Sequence, residues 1–226
     1  MKFVERVMGM FTKPGETIKD ILKEPRTEEP LVIVGVFALL VMISGYISAG
    51  SLGGGSMTIL SLLISVVVVL IGWPIATGVV HVMALFLGGQ GKYNPEMLNA
   101  IGYTYIVKYI PMLISMAILF FVPAMNTAAF QVTPTMSQDQ IMDAMRQMVT
   151  EMERYYTNPL FILSQVVMYL GLLWSCYLGS IAVQHGDNVS RTSSLIAVFV
   201  PAIFYIVLSV GMTFGSLILM RTLYGL

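Results

Sequence analysis

Apolar residues fill this chain in five long runs, at about 30–49, 57–87, 98–122, 159–183 and 194–220, and polar residues cluster between them. A helix needs about 20 apolar residues to cross a hydrocarbon core, and each run meets that length. The second run, 31 residues at about 1.5 Å each, would reach roughly 46 Å, so it must tilt or bend, and Trp73-Pro74 marks the bend. The pattern predicts an all-α, polytopic helical membrane bundle of five transmembrane helices. The whole of 1–226 forms one membrane domain, with 1–26 as amphipathic helices and 27–226 as the bundle.

Ahead of the first run the period changes. Phe3, Val7, Met10 and Phe11 recur at helical spacing opposite Lys2, Glu5 and Arg6. Pro14 opens a second short helix with Ile18, Ile21 and Leu22 on one face and Lys19, Asp20 and Lys23 on the other, and Pro25 ends it. Two short basic amphipathic helices lie in a membrane interface or pack on the ends of the protein's own spans. With no apolar core followed by small residues, the segment does not read as a signal peptide. A further amphipathic helix is expected near 137–156. There Ser137-Gln138-Asp139-Gln140 has capping-box form, and Ile141, Met145, Met148, Met152 and Tyr155 make a Met-rich stripe. Such a stripe either caps the bundle or offers an adaptable contact surface.

Turn chemistry marks the polar gaps. Gly50–Ser56 reads as a Gly-rich turn. Gly88, Gly89 and Gly91 allow a sharp turn after the second run, Asn94 and Pro95 open the third helix, and His185-Gly186-Asp187-Asn188 reads as a solvated bend.

Composition sharpens the class. The 226 residues are 57% hydrophobic and 11% charged, with mean hydropathy +0.82 and zero net charge. This excludes nucleic acid as a partner and leaves membrane lipids, a protein partner or a second copy. Six of the twelve Lys and Arg lie in the first 26 residues. With the N-terminus in the cytoplasm, eight of the flanking Lys and Arg fall inside and three outside, which predicts a cell-membrane protein, N-terminus cytoplasmic and C-terminus outside.

Catalytic chemistry is poorly supplied. His81 and His185 do not have metal-ligand spacing, Cys176 is the single cysteine, and Gly88-Gly89-Gln90-Gly91-Lys92 lacks the spacing of a phosphate-binding loop. The expectation is a non-enzyme with no cofactor and no metal. Lys108 stands out, about ten residues into the third run. An ionised side chain at mid-membrane costs at least about 2.5–3.5 kcal/mol unless it snorkels or is solvated internally. Spacing places Tyr105, Lys108 and Tyr109 on one stripe with Gly102 a turn earlier, a candidate head-group or polar site. A polar path through Lys108, His81, Gln165 and the tyrosines would instead suit a channel, transporter or lipid-moving protein.

Several short motifs resemble the Yip family of five-span membrane proteins, named for interaction with Ypt/Rab GTPases. They are Phe11-x-x-Pro14 before a helix ending at Pro25, Gly88-Gly89-x-Gly91-x-Tyr93 after the second run, and Gly102-Tyr103 with Pro111 in the third. The resemblance implies five spans and a membrane role without a settled activity, here in a compact prokaryotic-type member; a scaffold or adaptor that organises lipid or recruits partners is the expected function beside the transport alternative. The Asp-Leu-Tyr-Gly-Pro motif of eukaryotic members is absent, so Rab GTPase binding does not carry over.

Overall fold

The computed structural model describes residues 1–49, 56–123 and 135–224. The turn expected at Gly50–Ser56 lies almost entirely outside them. The described chain is helical: α1 (Phe3–Thr12), α2 (Pro14–Lys23), α3 (Glu28–Ala49), α4 (Ser56–Phe86), α5 (Leu98–Tyr103), α6 (Tyr109–Leu119), α7 (Gln138–Tyr156), α8 (Pro159–Gly186) and α9 (Arg191–Tyr224). Five stretches are long and apolar enough to cross a membrane: α3, α4, the composite 93–119, α8 and α9.

The composite third span departs from one continuous helix. The chain enters it through a kink at Asn94, whose backbone is extended (φ −123°, ψ 133°), before running into α5, and a tight 3₁₀ turn at Thr104–Lys108 joins α5 to α6. This span and α8 form the buried centre, whereas α4 and α9 expose most of their apolar surface. Glycine permits the closest approaches. A Cβ on Gly171 of α8 would come within 2.7 Å of the Pro111 ring on α6, and one on Gly102 within 2.9 Å of the Trp73 indole.

α1 and α2 form a helical hairpin against α5 and α8, and Ile18, Ile21 and Met10 enter the main core. A Cβ on Gly9 would overlap the Thr17 side chain, so the two helices meet closely there. Pro14 occupies the first turn of α2, where its missing N–H leaves no helical hydrogen bond unmade. On the opposite side of the chain, α7 is capped by Ser137, which accepts from the Gln140 amide over 3.3 Å. Ala144, Val149 and Tyr155 are its buried positions, while Met145, Met148 and Met152 of the Met-rich stripe are half-buried, and Arg221 of α9 donates to Glu153 over 3.1 Å.

Candidate functional site

Three polar clusters sit within this apolar frame. The first is centred on Arg6, which sequence periodicity places on the water-facing side of α1. The structure reverses that expectation: Arg6 is fully buried. Its Nε donates to Asp20 Oδ2 over 2.9 Å, Nη1 to Glu29 Oε2 over 2.9 Å, and Nη2 to the Glu24 carbonyl over 3.0 Å. Tyr103 donates its hydroxyl to the same Glu29 oxygen. One guanidinium therefore ties α1 to α2, to the start of α3 and, through Glu29, to the third span. Its planar fork of donors suits several oxygens at once. Burial opposes charge on Arg6 and Asp20 alike. Burial is the largest single influence on each, but their partners together outweigh it: Asp20, Glu29 and Tyr103 raise the Arg6 pKa, and Arg6 with the N-terminal ammonium holds Asp20 below the ordinary carboxylate range.

Glu29 was missed because the apolar run begins at Pro30. Helix α3 starts earlier, at Glu28, and carries the carboxylate into the protein. The only advance signal was an unexplained pair of acids directly before a span.

The second cluster surrounds the glycine turn after α4. Gly88 has φ +92°, the left-handed region that glycine enters without a Cβ clash. A Cβ on Gly89 would meet the Ala84 carbonyl at 2.8 Å, and one on Gly91 would overlap Asp187 and the Gly186 carbonyl. The missing side chains let this turn dock on Asp187, whose carbonyl accepts from the Gln90 amide over 2.9 Å. The bend at 185–188 is thus not wholly solvated, since Asp187 is fully buried, although Asn188 does take the tight left-handed conformation, φ 55°. His81 Nδ1 lies 2.9 Å from Asp187 Oδ1 in poor hydrogen-bond alignment. Burial pushes the Asp187 carboxyl up, and His81 pulls the other way. Tyr93 lies beside His81, ring centroids 5.9 Å apart, and its hydroxyl donates to the Pro74 carbonyl over 2.8 Å.

The third cluster holds Lys108. In a 3₁₀ turn, residues three apart eclipse one another, and the Lys108 ammonium accordingly sits 3.7 Å from the centroid of the Tyr105 ring. Phe37 of α3 lies 5.7 Å from the same nitrogen and stacks within 6° of the Tyr109 plane. Tyr109 is drawn away from the ammonium, donating its hydroxyl to the Ile33 carbonyl over 2.6 Å. Tyr103 turns to the Arg6 cluster. Among the described residues no carboxylate forms an ion pair with Lys108. Aromatic faces solvate it instead, by cation–π attraction.

The Lys108 and His81 clusters lie in different places. Cys176, close enough to Lys108 to feel its charge, and Asp187 are eleven positions apart along α8, or about 16 Å at 1.5 Å per residue.

No curated protein and no solved structure matches the chain. A family profile, the Yip1 domain, matches residues 8–211. That interval takes in the α1–α2 turn, the glycine turn docked on Asp187, the Gly102-Tyr103 pair and the Lys108 turn, and with nearly the whole chain matched, the protein belongs to the Yip1-domain family of membrane proteins.

Proposed function

We propose that this protein is a non-enzymatic membrane scaffold or adaptor that organises lipid or recruits a partner, its N-terminal hairpin cytoplasmic and its C-terminus outside. What carries the reading is where the buried ionisable groups go. Arg6 joins Asp20 and Glu29, Tyr103 joins Glu29, and His81 meets Asp187. Each contact ties separate segments of the chain together rather than aiming reactive atoms into a common cleft. A chain held this firmly presents a fixed surface to partners.

Lys108 departs from that pattern and supports a second element: a contact for an anionic lipid head group. Among the described residues its ammonium meets ring faces and no carboxylate, and a phosphate oxygen would supply a countercharge. The test is purification in native lipid with mass spectrometry of the associated proteins and lipids, paired with flux assays on vesicles. Reproducible enrichment of a protein or an anionic lipid supports the reading. Solute or lipid flux that Lys108→Met abolishes would replace it with the transport alternative.

A further inference from the structure

Helix α1 carries two apolar faces, and the bundle covers only one. Phe3, Val7 and Met10 pack inward, Phe3 beside Tyr103 with ring centroids 6.5 Å apart. Val4, Met8 and Phe11 stay outside, 68%, 60% and 36% exposed. At 3.6 residues per turn these three fall within about 60° of one another, between the bundle-facing residues and a polar sector of Glu5, Thr12 and Lys2. Arg6 fixes the rotation of the helix, so α1 cannot roll to hide the stripe.

We infer that Val4, Met8 and Phe11 insert into the acyl chains of the leaflet on the N-terminal side, with Lys2 and Lys13 beside anionic head groups. Continuity with the membrane-facing surface identifies lipid as the occupant. Phe11 meets Trp174 edge-on, centroids 5.8 Å apart. Trp174 belongs to an exposed α8 stripe of Leu163, Val166, Leu170, Trp174 and Tyr177, spaced by three and four on a span. The stripe on α1 extends that surface sideways. Bundle on one flank, apolar residues in the middle and polar residues on the other flank is the sectoring of a helix lying in the interface plane. Exposed Lys2 and Lys13 bracket the stripe, matching the anionic surface that attracts basic segments. The inference stands whether or not Lys108 contacts a head group.

The test uses the full chain with Cys176→Ser, reconstituted in phosphatidylcholine–phosphatidylglycerol vesicles and bearing Met8→Cys or Lys2→Cys labelled with a small fluorophore. Doxyl-labelled lipid should quench the probe at position 8 strongly and aqueous iodide should not, while position 2 shows the reverse. Replacing phosphatidylglycerol by phosphatidylcholine should weaken lipid quenching at position 8 several-fold less in a Lys2→Gln, Lys13→Gln chain than in the parent. Iodide access at position 8 in vesicles overturns the inference. So does shielding without lipid quenching that grows with protein density, which would assign the stripe to a second copy. A Val4→Cys probe repeats the reading should labelling at position 8 perturb folding.

Discussion

Arg6 and Glu29 stand 23 positions apart in the chain, yet Arg6 Nη1 donates to Glu29 Oε2 over 2.9 Å inside the protein. Removing one member of a buried ion pair leaves the other uncompensated and costs on the order of 3–5 kcal/mol. Arg26 stays 3.2 Å from Glu29 and the N-terminal ammonium 3.2 Å from Asp20 when Arg6 is lost, so Arg6→Met should sit at the lower end, destabilising the protein by about 3 kcal/mol, measured as a lower thermal midpoint in one detergent, and open the α1–α2 hairpin to protease. Adding Asp20→Asn and Glu29→Gln should restore much of the loss. A triple variant no more stable than Arg6→Met would show that guanidinium packing, not charge, matters.

The same cluster sets a pH response. Burial alone would raise the Asp20 pKa, but Arg6 and the N-terminal ammonium together outweigh it and lower the pKa in the fold. A carboxylate of this kind adds stability above its unfolded pKa, about 3.9, and loses that contribution as pH falls through the lower folded value. Protease resistance of the hairpin should therefore hold from pH 8 to 5 and fall below about pH 4. In Asp20→Asn the Asp20 part of the acid response should disappear.

Close helix approach gives a third prediction. Gly171→Ala would place a Cβ 2.7 Å from the Pro111 ring, and a pyrrolidine cannot rotate out of the way. Overpacking of this kind costs about 1–3 kcal/mol. Gly35→Ala, with nothing within 4 Å of the new Cβ, serves as the control and should be neutral or slightly stabilising, as alanine is the better helix former. Equal thermal midpoints for the two variants would refute the packing argument.

Much of the fold was legible because span length and turn residues are local signals. The five apolar runs, Pro14 at a helix start, the Ser137 cap and the glycine turn at 88–91 all follow from composition within a few residues. The polar clusters were less legible, since each depends on residues far apart in sequence. Arg6 lies among the polar positions of an amphipathic pattern, and only the acids of α2 and α3 arriving beside it make its burial favourable. Asp187 lies in a Gly-Asp-Asn bend that reads as solvated until the glycine turn closes over it. Periodicity did place Tyr105 beside Lys108, but at α-helical spacing; the tighter 3₁₀ turn brings the ring directly under the ammonium.

The His81–Asp187 contact predicts a pH effect of opposite sign. Burial raises the Asp187 pKa, and His81 opposes that rise. In His81→Gln only the Gly91 backbone hydrogen bond still opposes burial, so the Asp187 pKa climbs further, and an acid whose folded pKa is raised destabilises the fold as pH climbs from the unfolded value through the folded one. The variant should thus dock the 88–92 turn nearly as well as the parent at pH 5 and less well at pH 8, read by hydrogen exchange at the Gln90 amide. Asp187→Asn in that background should abolish the dependence.

Lys108 offers the sharpest separation between a structural and a functional residue. The ties made by Arg6 and His81 predict lost stability when broken, because each leaves a buried carboxylate behind. Lys108 leaves none, and an ionised lysine in hydrocarbon costs about 2.5–3.5 kcal/mol before its partners offset it. Tyr105 and Phe37 return part of that, roughly 1–2 kcal/mol for desolvated cation–π contacts. Lys108→Met keeps the length and apolar stem while removing the charge, so the thermal midpoint should stay level or rise. If an anionic head group supplies the missing countercharge, the same variant should lose its co-purifying anionic lipid by native mass spectrometry. Lys108→Arg should keep it, because a guanidinium still pairs with phosphate. A stable Lys108→Met protein with an unchanged lipid complement would remove this residue from lipid binding. A marked fall in stability would instead make Lys108 a packing element, its ammonium held in place by the aromatic rings.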